Sequence, residues 1–294
     1  MTAPTAGWSR SHLVASAASA ASARAAAPAV LLLHGQPGSA ADWHGVVQCL
    51  DGRAATVAID RPGWDGVHPA SDLEGNARAA LAALDAQGVR DALIVGHSLG
   101  GAIAAWLAGV RPERVTGLVL AAPAANLASL YLIDRWLAAP VAGEIAGGVA
   151  MAGVGLALAV PWLRRRIAGS TGIDESYLVD LGQAALKPGA WRAYAREQRA
   201  LVHDLPELEL RLGSITAPTT IIAGAGDRIV PARAPRKLAE QIPGARLLVS
   251  EHAGHLLPQR DPQLLADAIL DALIAAPPAK ERNCLQCWRD QAPG

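Results

Sequence analysis

The sequence predicts an α/β fold in which helices cover both faces of a mostly parallel central sheet and a helical segment interrupts the alternation. Short apolar stretches alternate with segments of helical periodicity near both ends of the chain, as expected for strands buried on both faces. Residues 126–213 contain helical stretches broken by Pro and Gly, but no strand pattern. A chain of 294 residues accommodates one such domain with an insertion.

Strands and helices take turns in the first half of the chain. The strand at 29–33 reads Ala-Val-Leu-Leu-Leu and stops at Gly and Pro, and the strand at 56–59 ends in Asp-Arg-Pro-Gly. A third strand, at 92–95, runs directly into Gly-His-Ser-Leu-Gly-Gly, and a fourth lies at 115–121. Apolar residues at helical spacing predict the intervening helices. These helices are 40–50, 73–84 and 102–109.

The alternation resumes after the helical segment. Strands at 219–224 and 246–249 flank a helix at 233–241, and a last helix covers 262–274. The chain therefore divides into an α/β core, a helical insertion within it and two terminal segments. The predicted units are a leader at 1–28, a core at 29–125 and 214–276, a helical lid at 126–213 and a polar tail at 277–294.

Composition excludes several classes of partner. With 26 basic and 26 acidic residues the formal net charge is zero, so we expect no nucleic-acid partner. Cys284 and Cys287 form one CxxC, and with Cys49 as the only other cysteine they cannot complete a four-ligand zinc site. We expect no metal and no cofactor, and the low cysteine count favours a cytoplasmic protein.

The segment 145–163 carries no charged residue and is followed by Arg164-Arg165-Arg166, a pattern typical of a membrane span. It is also Gly-rich, interrupted by Pro161 and placed between strands of one sheet. A single span there would put two halves of the sheet on opposite sides of a bilayer. We therefore expect a buried or substrate-lining lid helix, in preference to contact with a membrane surface or a true span.

Ser98 is the predicted nucleophile. Gly96-His97-Ser98-Leu99-Gly100 matches GxSxG and has the context that this pattern requires, an apolar strand before it and a helix after it. The turn is sharp, so small neighbours such as Gly96 and Gly100 are needed. The helix that follows offers an amide and a positive dipole end to an anion. The alternative is a Gly-rich strand–helix turn with an incidental Ser.

A serine nucleophile needs a base, and the base needs a carboxylate. His255 is the predicted base because it lies in the loop after the last strand, with His252 as the alternative. Asp227 follows the strand before it and is the predicted acid, with a turn-capping role as the alternative. His97 adjoins Ser98, but its side chain is expected to point away. Both loops emerge at the carboxyl edge of the sheet, where α/β sites form.

Two backbone amides are predicted to form an oxyanion hole for the tetrahedral intermediate. One belongs to Leu99, directly after the nucleophile, and the other to Gln36 in the loop His-Gly-Gln-Pro-Gly after the first strand. Gly35 allows a close approach and Pro37 holds the turn. The alternative is a tight strand–helix turn, which is compatible with this role because such a turn aims the amide.

These pieces together resemble the α/β-hydrolase superfamily, in its serine-nucleophile branch. The matching stretches are HGQPGSAADW, DRPGWDG, GHSLGG, GAGDRIVP and HAGH, in that order. The resemblance gives Ser98, Asp227 and His255 the roles of nucleophile, acid and base. An Asp nucleophile would indicate an epoxide hydrolase or dehalogenase, and Ser98 argues against both. Similar serine members include esterases, C–C bond hydrolases, lactonases, aminopeptidases and cofactor-free haloperoxidases.

The expected function is hydrolysis of a carboxylic ester of a small apolar substrate through an acyl-enzyme. A lid rich in Ala, Leu, Val and Trp, including Trp136, Trp162 and Trp191, favours such a substrate. The same triad supports C–C bond cleavage or, with peroxide in place of water, haloperoxidase and perhydrolase chemistry. A ligand-binding receptor on this scaffold is the non-enzymatic alternative. The complete Ser–His–Asp set argues against it, since binding alone needs no base beside the serine.

Overall fold

The computed structural model describes residues 29–187 and 189–275, and a parallel sheet forms their centre. The leader and the whole tail, with the pair Cys284 and Cys287, lie outside the described residues. The sheet has the order β2-β1-β3-β4-β5-β6, and every neighbouring pair is parallel. Its strands are β1 (Ala29–Leu33), β2 (Ala55–Ile59), β3 (Ala92–His97), β4 (Val115–Ala121), β5 (Thr219–Gly224) and β6 (Arg246–Ser250). The predicted fold class is confirmed.

Helices connect the strands and cover both faces of the sheet. The predicted helix at 40–50 is a 3-10 turn at Ala40–Trp43 followed by an α-helix, and the others lie within three residues of their predicted ends. Between β4 and β5 lies a run of helices, here called the insertion. The helices are α1 (His44–Leu50), α2 (Leu73–Ala86), α3 (Leu99–Val110), α4 (Leu132–Leu137), α5 (Ala142–Ala159), α6 (Pro161–Thr171), α7 (Glu175–Leu186), α8 (Ala190–Arg211), α9 (Arg233–Gln241), α10 (Leu257–Arg260) and α11 (Pro262–Ala275).

The core has two apolar layers, one on each face of the sheet. The alternation of side chains along β1 shows the division: Leu31 and Leu33 pack on one face, and Val30 and Leu32 on the other. The first layer meets α2, α3, α8 and α9, and the second meets α1 and α11. Because both faces are covered, the strands consist mostly of apolar residues, and this makes them recognisable in the sequence.

The apolar segment 145–163 is not one helix. It breaks between Ala159 and Pro161, because Pro lacks the amide that would continue α5 and instead begins α6. One face of α5 is buried and includes Met151 and Leu158, while Val149 and Leu156 on the outer side are exposed. The expectation of a buried helix therefore holds for one face only.

Asp42 is a carboxyl buried beneath the loop after β1, and it lines a cavity of about 380 Å³ that also contacts Tyr177 of α7. Its Oδ2 accepts the Ser39 amide at 3.3 Å. Burial is the main reason that the pKa of Asp42 is raised to about 7. The nearby Asp60 carboxylate adds to this rise, while the Ser39 amide and Arg61 oppose it.

This shift predicts a pH-dependent stability. The pKa of an aspartate is about 4 in the unfolded chain and is raised to about 7 in the folded protein. Between these pH values the folded state binds the Asp42 proton and the unfolded state does not. The free energy of unfolding therefore falls as pH rises through this range. Asp42→Asn keeps an acceptor for the Ser39 amide but carries no charge. We expect it to be more stable than the wild type at pH 8 by more than about 1 kcal/mol, and not at pH 4. Urea unfolding at both pH values measures this, with the exposed Asp180→Asn as the control. An equal difference at the two pH values would contradict it.

Candidate active site

Three loops at the carboxyl edge of the sheet bring the predicted site residues together. Ser98 follows β3, Asp227 follows β5, and His255 lies between β6 and α10. Strands β3 to β6 are neighbours in the sheet, so the loops that leave their carboxyl ends lie side by side. The site is therefore assembled from distant parts of the sequence by the order of the strands.

Ser98 occupies a strained turn between β3 and α3. Its φ of 53° and ψ of −117° place a non-glycine residue at positive φ. The neighbouring glycines make the turn sterically feasible. A Cβ at Gly96 would lie 2.2 Å from the Gly100 carbonyl oxygen, and one at Gly100 would lie 2.1 Å from that of Leu33. Since both contacts are with backbone atoms, only glycine permits this close approach at either position.

The hydroxyl, imidazole and carboxylate form one hydrogen-bonded line. His255 Nε2 lies 3.0 Å from Ser98 Oγ, and His255 Nδ1 lies 2.9 Å from Asp227 Oδ2. The other carboxylate oxygen, Asp227 Oδ1, accepts the amides of Ile229 at 2.8 Å and Val230 at 2.9 Å. These amides fix the carboxylate, which in turn fixes the imidazole. The line can carry a proton from the hydroxyl to the imidazole.

The surroundings of Asp227 favour its charged form. Burial alone would raise the pKa of Asp227, but the hydrogen bond and charge of His255 and the two loop amides outweigh it. The pKa therefore lies below its ordinary value. A carboxylate that stays ionised keeps the proton on His255 Nδ1, so that Nε2 is free to accept the proton of Ser98.

His97, the residue before the nucleophile, anchors the loop of the predicted base. Its Nε2 lies 2.8 Å from the backbone oxygen of His255, and since a carbonyl only accepts, this nitrogen carries the hydrogen. The two rings lie 5.0 Å apart. Burial, followed by the proximity of His255, lowers the pKa of His97 to about 3, so the ring is neutral at neutral pH. Sequence analysis missed this role, since a neighbouring imidazole gives no local signal of its partner.

The loop that carries Gln36 lies beside the nucleophile, and Leu99 follows Ser98 directly in the chain. A Cβ added to Gly35 would lie 3.2 Å from Ser98 Cβ, which places the loop after β1 against the serine. The Gln36–Pro37 peptide bond is cis, and the Gln36 side chain donates to the Tyr194 carbonyl of α8 at 3.0 Å. Among the described residues, neither the Gln36 amide nor the Leu99 amide has a hydrogen-bond acceptor.

A buried ion pair ties this loop to the insertion. The Arg61 guanidinium, only 1% exposed, donates to the carbonyls of His34 at 3.0 Å and Gly35 at 2.8 Å, and it also contacts the carboxylate of Glu197 in α8. Trp64 Nε1 donates to the same carboxylate at 2.9 Å. Arg61 thus holds two consecutive carbonyls of the loop and joins them to a helix of the insertion.

His34 completes the bracing of the loop. Its Nδ1–H donates to the Gly35 carbonyl at 2.8 Å, and its Nε2 accepts the Arg61 amide at 3.1 Å. Burial and then the charge of Arg61 hold the pKa of His34 well below its ordinary range, which keeps one nitrogen available as an acceptor. These contacts give His34 a structural role in the loop.

The alternative base lies elsewhere. His252 is exposed in the turn after β6, whereas His255 contacts both Ser98 and Asp227. Trp136 and Trp162, expected to face an apolar substrate, are each 64% exposed on the outside of the insertion. Only Trp191 among the three packs inward, beside Met151 and Ala190. No cluster of potential metal ligands occurs among the residues that the structure describes.

The Arg61–Glu197 pair predicts a large effect on stability. Glu197→Leu leaves a buried guanidinium without its counter-charge, which we expect to cost about 3–5 kcal/mol in urea unfolding. Adding Arg61→Met should recover part of that loss, because no uncompensated charge remains. Glu207→Leu, which breaks the exposed pair with Arg211 on the same helix, is the matched control and should cost under about 1 kcal/mol. Equal costs for the two single variants would refute a special role for the buried pair.

Comparison with known proteins agrees with this architecture. A family model described as the alpha/beta hydrolase family matches residues 30–268. A 2-hydroxy-6-oxononadienedioate/2-hydroxy-6-oxononatrienedioate hydrolase of Cupriavidus pinatubonensis is 29% identical over 244 residues, which cover 79% of this chain and 81% of that protein. A pimeloyl-(acyl-carrier protein) methyl ester esterase of Neisseria meningitidis is 29% identical over 231 residues, covering 77% of this chain and 86% of the esterase.

A solved structure shares the fold. The 2-hydroxy-6-oxo-6-phenylhexa-2,4-dienoate hydrolase from Rhodococcus has a TM-score of 0.66 with this chain at 22% identity, covering 84% of this chain and 90% of that one. The family match spans nearly the whole of the described structure. The chain therefore belongs to the alpha/beta hydrolase family.

Proposed function

We propose that the protein is a serine hydrolase that cleaves a carboxylic ester through an acyl-enzyme. The observation that carries this proposal is the line of contacts from Asp227 through His255 to Ser98, with distances of 2.9 and 3.0 Å. A hydroxyl is a weak nucleophile at neutral pH, and a positioned imidazole is what activates it. A binding protein has no need of such a line.

In the proposed reaction, Ser98 Oγ attacks the acyl carbonyl carbon while His255 Nε2 takes the hydroxyl proton. The amides of Gln36 and Leu99 stabilise the negative oxygen of the tetrahedral intermediate. His255 then donates its proton to the leaving alcohol as the ester bond breaks, which leaves the acyl group on Ser98. Water, activated by His255, attacks this acyl group and releases the acid, and the proton returns to Ser98.

Apolar side chains near the oxyanion loop support an apolar acyl or alcohol group. Gln36 bonds to Tyr194, and Tyr194 belongs to a cluster with Trp64, Trp191 and Met151. Three of these residues come from the insertion, which in this proposal acts as a lid that sets specificity.

Cleavage of a carbon–carbon bond is the second candidate. The relative from Cupriavidus pinatubonensis carries the name of a 2-hydroxy-6-oxononadienedioate hydrolase, and the relative from Neisseria meningitidis that of a methyl ester esterase, at the same 29% identity. Both reactions begin at a carbonyl beside the nucleophile. A panel of aryl esters of varied acyl length and a vinylogous 1,5-diketone acid, assayed together, separates the two.

An active-site-directed probe tests the nucleophile. We expect a fluorophosphonate to label Ser98, as read by peptide mass spectrometry, and Ser98→Ala to abolish both labelling and ester turnover. Ser129→Ala, at another buried serine, should retain both. Labelling at another residue, with activity retained in Ser98→Ala, would rule the proposal out.

The acid is tested by Asp227→Asn. An amide at this position donates where the carboxylate accepts, which favours the wrong imidazole tautomer, so we expect kcat to fall by roughly 10⁴-fold with the fold intact. Circular dichroism checks the fold, and the exposed Asp85→Asn is the control. A rate near that of the wild type would assign the role to another carboxylate.

A further inference from the structure

The insertion carries large apolar side chains that are exposed on three successive helices. We call this set the apolar face and define it by Trp136 of α4, Ile145, Val149 and Leu156 of α5, and Trp162 of α6. All five side chains are exposed, between 62% and 69%. Clusters of exposed large apolar side chains are rare on soluble monomers and mark surfaces that bind a partner or a membrane.

The periodicity of α5 aligns these residues. Ile145, Val149 and Leu156 are separated by four and seven residues, so they form one stripe along the helix. The stripe bears no charge, since the only ionisable residue of α5 is Glu144, which pairs with Arg199 of α8 at 3.1 Å. The helix has a mean hydropathy of 1.5 and is the one described helix long and apolar enough to cross a bilayer.

Unpaired arginines border the face. Trp162, Arg165 and Arg166 have the spacing i, i+3 and i+4, so they share one side of α6. Arg164 pairs with Glu175, whereas Arg165 and Arg166 are exposed and form no ion pair within the described part of the chain. Tryptophan beside exposed arginine is the combination that favours the headgroup region of an anionic bilayer.

We propose that the apolar face docks the protein peripherally on an anionic lipid surface. Trp136, Trp162 and the α5 stripe enter the headgroup region, and Arg165 and Arg166 contact lipid phosphates. Charge complementarity favours lipid over a second copy of this chain, because the copy would present the same two arginines and no acidic residue on its own apolar face. The inference is independent of the proposed reaction, because docking needs none of the residues at the carboxyl edge of the sheet.

Peripheral docking also fits better than a membrane span. The inner side of α5 packs closely on α7, where a Cβ at Gly155 would lie 2.4 Å from Leu186 Cγ. It also packs on α8, which contributes Leu205 and Leu208 to the core of the sheet. Insertion of α5 across a bilayer would separate it from both helices, whereas docking leaves these contacts in place.

The test uses the full chain and vesicles of phosphatidylcholine with or without phosphatidylglycerol, followed by flotation. We expect binding to the anionic vesicles. Arg165→Glu with Arg166→Glu should weaken it at least about 25-fold, given the usual contribution of each basic residue at an anionic surface. Val149→Gln with Leu156→Gln should weaken it about tenfold or more, because less apolar surface enters the membrane.

Matched controls lie away from the insertion. Ile274→Gln removes an equally apolar side chain, 84% exposed in α11, and Arg111→Glu with Arg236→Glu reverses two exposed charges. These variants should bind nearly as the wild type does, since none of the three positions belongs to the insertion. Circular dichroism confirms that each variant is folded.

Three outcomes would overturn the proposal. The first is absence of binding to anionic vesicles, and the second is binding that the control variants weaken as much as the variants of the apolar face. The third is protein that stays with the vesicles after an alkaline carbonate wash, which would indicate a spanning helix. Light scattering adds a direct check on self-association. A wild type that is dimeric and does not bind vesicles, with a monomeric double variant Val149→Gln and Leu156→Gln, would assign the face to self-association.

Discussion

The close approach of α3 to the ends of β1 and β3 sets the geometry of the site. At Gly96 and Gly100 a side chain would collide with backbone atoms, so the turn exists only with glycine at both positions. The turn holds Ser98 at positive φ, and two backbone hydrogen bonds keep it there: its amide donates to Ala121 at 3.0 Å and its carbonyl accepts from Ala124 at 3.1 Å. The rest of the site is arranged around a hydroxyl whose position is already fixed.

The hydrogen-bonded groups near that hydroxyl differ in charge. The carboxylate of Asp227 is held ionised on one side of His255, while His97 beneath the same loop is neutral. A neutral neighbour supports the loop without opposing a positive charge on the His255 imidazole. His97 thus anchors the loop, and Asp227 supplies the negative charge beside the imidazole. His97 gives no signal in the sequence beyond its position before Ser98.

The sequence predicts the sheet well because parallel strands covered on both faces are mostly apolar. β1, β4 and β5 have their predicted ends, and β3 extends two residues further, into the turn before Ser98. The candidate site residues can also be recognised in the sequence, since each belongs to a short motif that follows a strand. Glu197 is not, because it lies 136 residues from Arg61 and no local pattern links the two.

The insertion is harder to interpret from sequence, for a physical reason. α5 is apolar on every side, so its periodicity does not reveal which face packs inward. Pro161 indicates the break after α5, but the direction of α6 depends on contacts with other helices. The exposed positions of Trp136 and Trp162 follow from that packing, and composition alone suggests the opposite.

The Arg61–Glu197 pair has a consequence for how the two parts of the molecule move. Lifting α8 from the sheet would leave the Arg61 guanidinium without its counter-charge. Because this guanidinium also holds the carbonyls of His34 and Gly35, the free energy of that motion is high. The preceding helices make no such bond to the loop after β1 within the described residues. The ion pair therefore couples the position of α8 to the shape of the loop beside the serine, so that a displacement of the helix deforms that loop.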